Sequence, residues 1–115
     1  MALRFRSQKT EKYYCPKCEI FKSFFEVNIT WRCPDCNNNI QIKLKIDGFF
    51  HSCYRITPEQ LKVGEIVTLE NEFIHQVLAI TRNGNQYRLA LKEYTTINYN
   101  SDEIITRIDG GWYLD

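Results

Sequence analysis

The motifs CPKC at residues 15–18 and CPDC at residues 33–36 decide the fold of this chain. Each C-x-x-C pair can form a tight knuckle, and two knuckles together present four thiolates to one tetrahedral metal ion. Proline after the first cysteine of each pair favours the required turn. The 14 residues between the motifs, 19–32, are marginally fewer than the roughly 15 to 20 usual for this pattern. We predict one structural zinc ion, Zn(2+), bound by Cys15, Cys18, Cys33 and Cys36.

Five cysteines also permit a redox or disulfide interpretation. The first ten residues contain Arg4, Arg6 and Lys9 but no apolar core, so we see no signal peptide, and no apolar run approaches the length of a membrane span. We therefore expect a cytoplasmic protein, and in a reducing compartment paired cysteines usually bind metal. Because four thiolates leave no position for an activated water, catalytic zinc is not expected.

The segment between the motifs alternates in polarity. Residues 21, 25, 27, 29 and 31 are apolar and residues 22, 26, 28, 30 and 32 are polar, with Phe24 as the exception. This period of two predicts a β-hairpin with one buried face and its tip near residues 26–28.

The clearest strand signal follows the second motif. Residues 40–46 alternate isoleucine or leucine with glutamine or lysine, and Asp47-Gly48 is typical of a type I′ turn. A returning strand over residues 49–55 would place His51 and Cys53 on the buried face, so we interpret them as core residues rather than as a second metal pair. The predicted register places Phe49 opposite Ile46, His51 opposite Leu44 and Cys53 opposite Ile42.

With Cys-Pro-x-Cys knuckles on either side of the predicted hairpin and a strand at residues 40–46, residues 13–46 resemble the zinc-ribbon family. Zinc ribbons occur in transcription factors, RNA polymerase subunits, replication proteins and ribosomal proteins. The resemblance therefore implies partners that are often nucleic acid or its machinery. Transcript-cleavage ribbons carry an acidic pair at the hairpin tip, where this chain has only Glu26, so that activity is not expected.

The second half begins with TPEQ at residues 57–60, which has the residues of a capped helix start. Strands are predicted at residues 65–69, 73–81, 86–92, 103–108 and 112–114, with a hairpin turn at Asn83-Gly84 and a polar stretch over residues 93–102. So many short strands favour a small barrel, since closure removes exposed edges. With LKVGEIV at residues 61–67, this half resembles SH3-like barrels of the KOW and Tudor type.

The predicted fold is all-β. It consists of a flexible basic arm at residues 1–12, a zinc ribbon with an additional β-hairpin at residues 13–56, and a small SH3-like β-barrel at residues 57–115. The ribbon is expected to be packed beside the barrel or linked to it.

Charge differs between the two halves. Residues 1–56 carry ten Lys and Arg against five Asp and Glu, whereas residues 57–115 carry five against nine. A basic excess attracts phosphate, and an exposed aromatic ring among cations could stack on a base. Outward lysines that only keep a strand soluble and block edge pairing are the open alternative. The candidate nucleic-acid-binding residues are Lys22, Phe24, Arg32, Lys43 and Lys45.

Aromatic residues of the second half either line a protein-binding surface or form the core and its rim. The candidates are Tyr94, Tyr99, Trp112 and Tyr113. The sequence has no Ser-His-Asp set, paired carboxylates or glycine-rich phosphate loop, so we expect neither an enzyme nor a small-molecule substrate.

The resulting hypothesis is a non-enzymatic zinc-binding adaptor or regulator that acts with nucleic acid or a nucleic-acid-processing complex of the transcription or replication type. A protein partner is expected, and a membrane is not. The alternative is a pure protein–protein interaction module that regulates or inhibits a larger enzyme.

Overall fold

A computed structural model describes residues 11–69 and 73–114. Within these ranges the chain is nearly all-β, which confirms the predicted class, and no helix there is long and apolar enough to cross a membrane. Residues 1–10 of the predicted arm lie outside the described residues, and Lys12 is the first residue of a strand. The elements are β1 (Lys12–Cys15), β2 (Ile20–Lys22), α1 (Phe24–Val27), β3 (Gln41–Ile46), β4 (Phe49–Ile56), a 3-10 turn (Pro58–Gln60), β5 (Ile66–Leu69), β6 (Phe73–Asn83), β7 (Gln86–Leu91), β8 (Thr96–Asn100) and β9 (Ile105–Gly111).

The nine described strands form one antiparallel sheet in the order β2-β1-β3-β4-β9-β5-β6-β7-β8. The last strand, β9, lies between β4 and β5 and pairs with both. Strand β9 therefore connects strands β1 to β4 with the meander of β5 to β8.

Two hydrophobic cores lie on opposite faces of this sheet. Cys53 of β4 packs in the first core with residues of β1 and β3, whereas Ile56 of β4 packs in the second core with residues of β5 to β9. Strand β9 is divided in the same way, because Ile108 lies opposite Cys53 and Ile105 lies opposite Ile56. Each of these two strands thus contributes one face to each core.

The β3–β4 hairpin has the predicted register, with Ile46 opposite Phe49, Leu44 opposite His51 and Ile42 opposite Cys53. Asp47 and Gly48 both have positive φ, 50° and 84°, as a type I′ turn requires. The capped turn predicted at residues 57–60 is also confirmed, as a 3-10 turn over Pro58–Gln60.

The hairpin predicted over residues 21–31 is wrong. Only Ile20–Lys22 is a strand there, and residues Phe24–Val27 form α1. Ser23 caps this helix, since its hydroxyl accepts the Glu26 amide and the Glu26 carboxylate accepts the Ser23 amide. The capping box, formed by residues only three apart, therefore favours a helix here although the alternating pattern predicts a strand.

Two predictions in the second half need correction. The polar stretch over residues 93–102 contains β8, in which Tyr99 is buried. The strand predicted at residues 112–114 is absent, because β9 instead runs to Gly111, where it pairs with His51 of β4. The hairpin predicted at Asn83-Gly84 is present, with Gly84 at positive φ.

Candidate metal centre

The four predicted cysteines converge at one point. Their sulfur atoms all lie within 4.8 Å of one another. The Sγ atoms of Cys15 and Cys36 are 3.4 Å apart and those of Cys18 and Cys33 are 4.0 Å apart, so no disulfide joins them. Tetrahedral bonds of about 2.3 Å, the zinc–sulfur length, separate sulfurs by about 3.8 Å. The four thiols can therefore bind one metal ion.

The two knuckles share one backbone geometry. In each, the carbonyl of the first cysteine accepts the amide of the residue four positions later, Glu19 for Cys15 and Asn37 for Cys33, both at 2.8 Å. Glu19 and Asn37 both have positive φ, 55° and 62°. This turn brings both sulfurs of a knuckle to the same side.

The clustering alters the acidity of the thiols. Burial raises the pKa of Cys15, but the hydrogen bond from the Cys18 amide and the contacts with the other thiols outweigh burial and lower it to about 7. Contacts with Cys36 and Cys15 raise the pKa of Cys18 to about 12. Four thiolates this close together would repel one another, so a bound cation is needed to stabilise them together.

Lys22 links the first knuckle to the second. Its ammonium lies 2.6 Å from the Asp35 carboxylate in the second knuckle and 3.9 Å from Glu26 of α1. The hydrogen bond to Asp35 raises the pKa of Lys22. Lys22 therefore holds the ligand-bearing segments together and places a positive charge beside them.

The candidate nucleic-acid-binding residues are not gathered on one surface. Tyr13 lies opposite both Lys22 and Ile42, so Lys22 shares the buried face of the sheet, away from Lys43 and Lys45. Phe24, for which the alternation indicated an exposed ring, packs against the first core with ring centroids 6.0 Å from Tyr13. Half-buried Arg32 donates to the carbonyl of Asn37 within the second knuckle.

Lys43 and Lys45 lie instead on the outer side of β1, β3 and β4, among residues that sequence reasoning missed. Lys43 lies opposite Lys12, and Lys45 lies opposite Phe50, whose ring centroid is 4.3 Å from the Lys43 ammonium and 5.8 Å from the Lys45 ammonium. The alternation of β1 and β3 carries the signal for this grouping. We call these outward residues the lysine-aromatic face: Lys12, Tyr14, Phe21, Lys43, Lys45 and Phe50.

The candidate protein-interaction residues divide into two pairs. Tyr99 and Trp112 are buried, whereas Tyr94 and Tyr113 are exposed. A role of these four residues in protein binding stays a prediction.

No protein-family model, curated protein or solved structure significantly matches this chain.

Proposed function

We propose that this protein is a non-enzymatic zinc-binding adaptor of the cytoplasm that acts with nucleic acid or a nucleic-acid-processing complex. Zinc is the metal best suited to four thiolates in a tetrahedral arrangement. Four thiolate ligands complete the coordination sphere, which supports a structural rather than a catalytic ion.

We assign residues 13–56 to a zinc ribbon with an additional hairpin and residues 57–115 to an SH3-like barrel. The paired knuckles support the first assignment. The strand order β9-β5-β6-β7-β8 supports the second assignment. In this half β5 is the first strand along the chain and β9 is the last, and their pairing is what a five-strand barrel requires.

The lysine-aromatic face is the observation that carries the nucleic-acid part of the proposal. Lys12 and Lys45 are exposed and Lys43 is half-buried, so ammonium groups lie on the same side of the sheet as three aromatic rings. Lysines supply the phosphate attraction, and aromatic rings on a sheet provide stacking platforms.

Binding of a labelled nucleic acid at several salt concentrations tests this proposal. We expect affinity to fall linearly with salt on logarithmic axes, and Lys45→Glu to weaken binding and reduce the slope by about one. Lys92→Glu is the matched control, because Lys92 is an exposed lysine of the other half. An absence of binding at low salt would refute the nucleic-acid part of the proposal.

A pure protein-interaction module is the second candidate, favoured by exposed apolar residues around α1. Phe25 and Ile29 are each 86% exposed, and such residues often mark protein interfaces. Purification from the native host followed by mass spectrometry discriminates the two. A stoichiometric protein partner lost on Phe25→Ser, with no bound nucleic acid, would support this second candidate.

A further inference from the structure

We infer that the lysine-aromatic face binds single-stranded nucleic acid in preference to duplex, with bases stacked on Phe50 and on the Tyr14–Phe21 pair. This inference rests on the proposed function and deepens it. The ligand chemistry is a flexible phosphate backbone with unpaired bases, which single-stranded DNA and RNA share.

The register of four strands, β1 to β4, arranges the face in rows. Residues directly opposite each other in antiparallel strands share a face. Successive rows on the same face are two residues apart along each strand, which is about 7 Å. The first row contains Lys45 and Phe50, the second contains Lys43 and Lys12, and the third contains Tyr14 with Phe21. The first row is therefore cationic and aromatic, the second is cationic and the third is aromatic.

The first aromatic position is a single ring with lysine ammonium groups over it. Phe50 is 40% exposed, and the ammonium groups of Lys43 and Lys45 lie 4.3 and 5.8 Å from its centroid. A base that displaces the Lys43 ammonium and stacks on this ring would keep its phosphates within reach of both lysines.

The second aromatic position is a pair of rings. Tyr14 and Phe21 contact edge to face at 5.0 Å between centroids, and Phe21 is 48% exposed. Edge-to-face contact fixes the rings and leaves apolar surface for a base. In a duplex, the faces of bases are covered by their neighbours, so only an unstacked strand can use either platform.

Charge on this face favours phosphate over other partners. The outward positions of β1 to β4 on this side carry lysine as their only charged residue type, at Lys12, Lys43 and Lys45. An acidic peptide could also pair with lysines but would leave the aromatic platforms unused.

Fluorescence anisotropy of the metal-loaded full chain tests the inference. The probes are oligothymidylate and oligouridylate of about 12 nucleotides, within the 4 to 16 covered by single-strand-binding folds, and a duplex of equal length. We expect the single strands to bind at least about fivefold more tightly than the duplex at equal salt. Binding of either single strand supports the inference, and the tighter one identifies the natural source.

Phe50→Leu should remove most of this preference while leaving the salt dependence unchanged, because leucine cannot stack but no charge is lost. Phe73→Leu is the matched control, since Phe73 is an exposed phenylalanine on β6. Metal content of each variant verifies that the first core is intact.

Some results would overturn the inference alone, and a different result would also count against the proposed function. Equal affinity for duplex and single strand, no effect of Phe50→Leu, or equal competition by polyglutamate would overturn single-strand stacking and leave a purely electrostatic contact. An absence of binding to every nucleic acid would overturn both the inference and the nucleic-acid part of the proposed function.

Discussion

Cys15 and Cys33 are the buried first ligands of the two knuckles. Cys15→Ser or Cys33→Ser should abolish metal binding and unfold the first core, because metal binding supplies folding free energy of order 10 kcal/mol in zinc peptides. Elemental analysis with circular dichroism measures both effects. Cys53→Ser is the control and should retain one metal ion per chain. Full metal content in the Cys15→Ser variant would contradict the four-thiolate site.

Cys53 is a buried thiol outside the metal centre. Burial raises its pKa from an ordinary value of 9.0 to about 12. Between these two values the unfolded state has lost the thiol proton and the folded state retains it. The free energy of unfolding should therefore fall as pH rises from 9 to 12, by up to about 1.4 kcal/mol per pH unit.

Urea unfolding of the wild type and of Cys53→Ala across this range isolates the effect, since all other groups titrate in both proteins. The stability advantage of the wild type should shrink as pH rises. A constant difference would contradict the expected titration.

Glu11 and Arg55 form a fully buried ion pair that the sequence did not indicate. The carboxylate accepts hydrogen bonds from Arg55 at 3.2 Å and from the Tyr13 hydroxyl at 2.8 Å, and the guanidinium lies 4.3 Å from the Trp31 ring centroid. Glu11→Gln should lower the free energy of unfolding by about 3 kcal/mol, because a buried cation loses its counter-charge. Urea unfolding measures the loss.

Glu59→Gln, at an exposed carboxylate, is the comparison and should change stability by less than about 0.5 kcal/mol. Equal effects of the two substitutions would show that the buried pair adds nothing.

At the scale of elements, α1 depends on a local capping feature. Val27, its one buried residue, packs in the first core, and the capping box of Ser23 and Glu26 starts the helix. Ser23→Ala should cost about 1 kcal/mol of stability, since an amide at the helix start loses its acceptor. Thermal unfolding compares it with Ser101→Ala at an exposed serine, and a Ser23→Ala variant as stable as that control would rule out the cap as a contributor.

Elements set by adjacent residues were predictable from the sequence. The register of β3 and β4 follows from Asp47-Gly48 and the alternation before it, and the metal ligands follow from their spacing. Two local signals were present but were outweighed in our prediction: the capping box of α1, and the alternation of residues 96–100 that forms β8. Exposure of aromatic residues on a sheet face, as at Phe50, depends on what covers the face and leaves no local pattern.

At the scale of the whole molecule, the position of β9 was not predictable, because pairing with both β4 and β5 depends on closure of the chain over long separations. This position has an energetic consequence. Since β4 and β9 each contribute side chains to both cores, disorder in the first core should remove part of the wall of the second.

Removal of the metal should therefore destabilise the meander of β5 to β8 as well as strands β1 to β4. Amide hydrogen exchange with and without a zinc chelator measures this, with Ile42 reporting on the first core and Leu89 on the second. We expect the chelator to reduce protection at both amides, and excess zinc to restore both. Continued protection of Leu89 while Ile42 exchanges freely would show two independently stable units, and β9 would then stabilise the second core without the first.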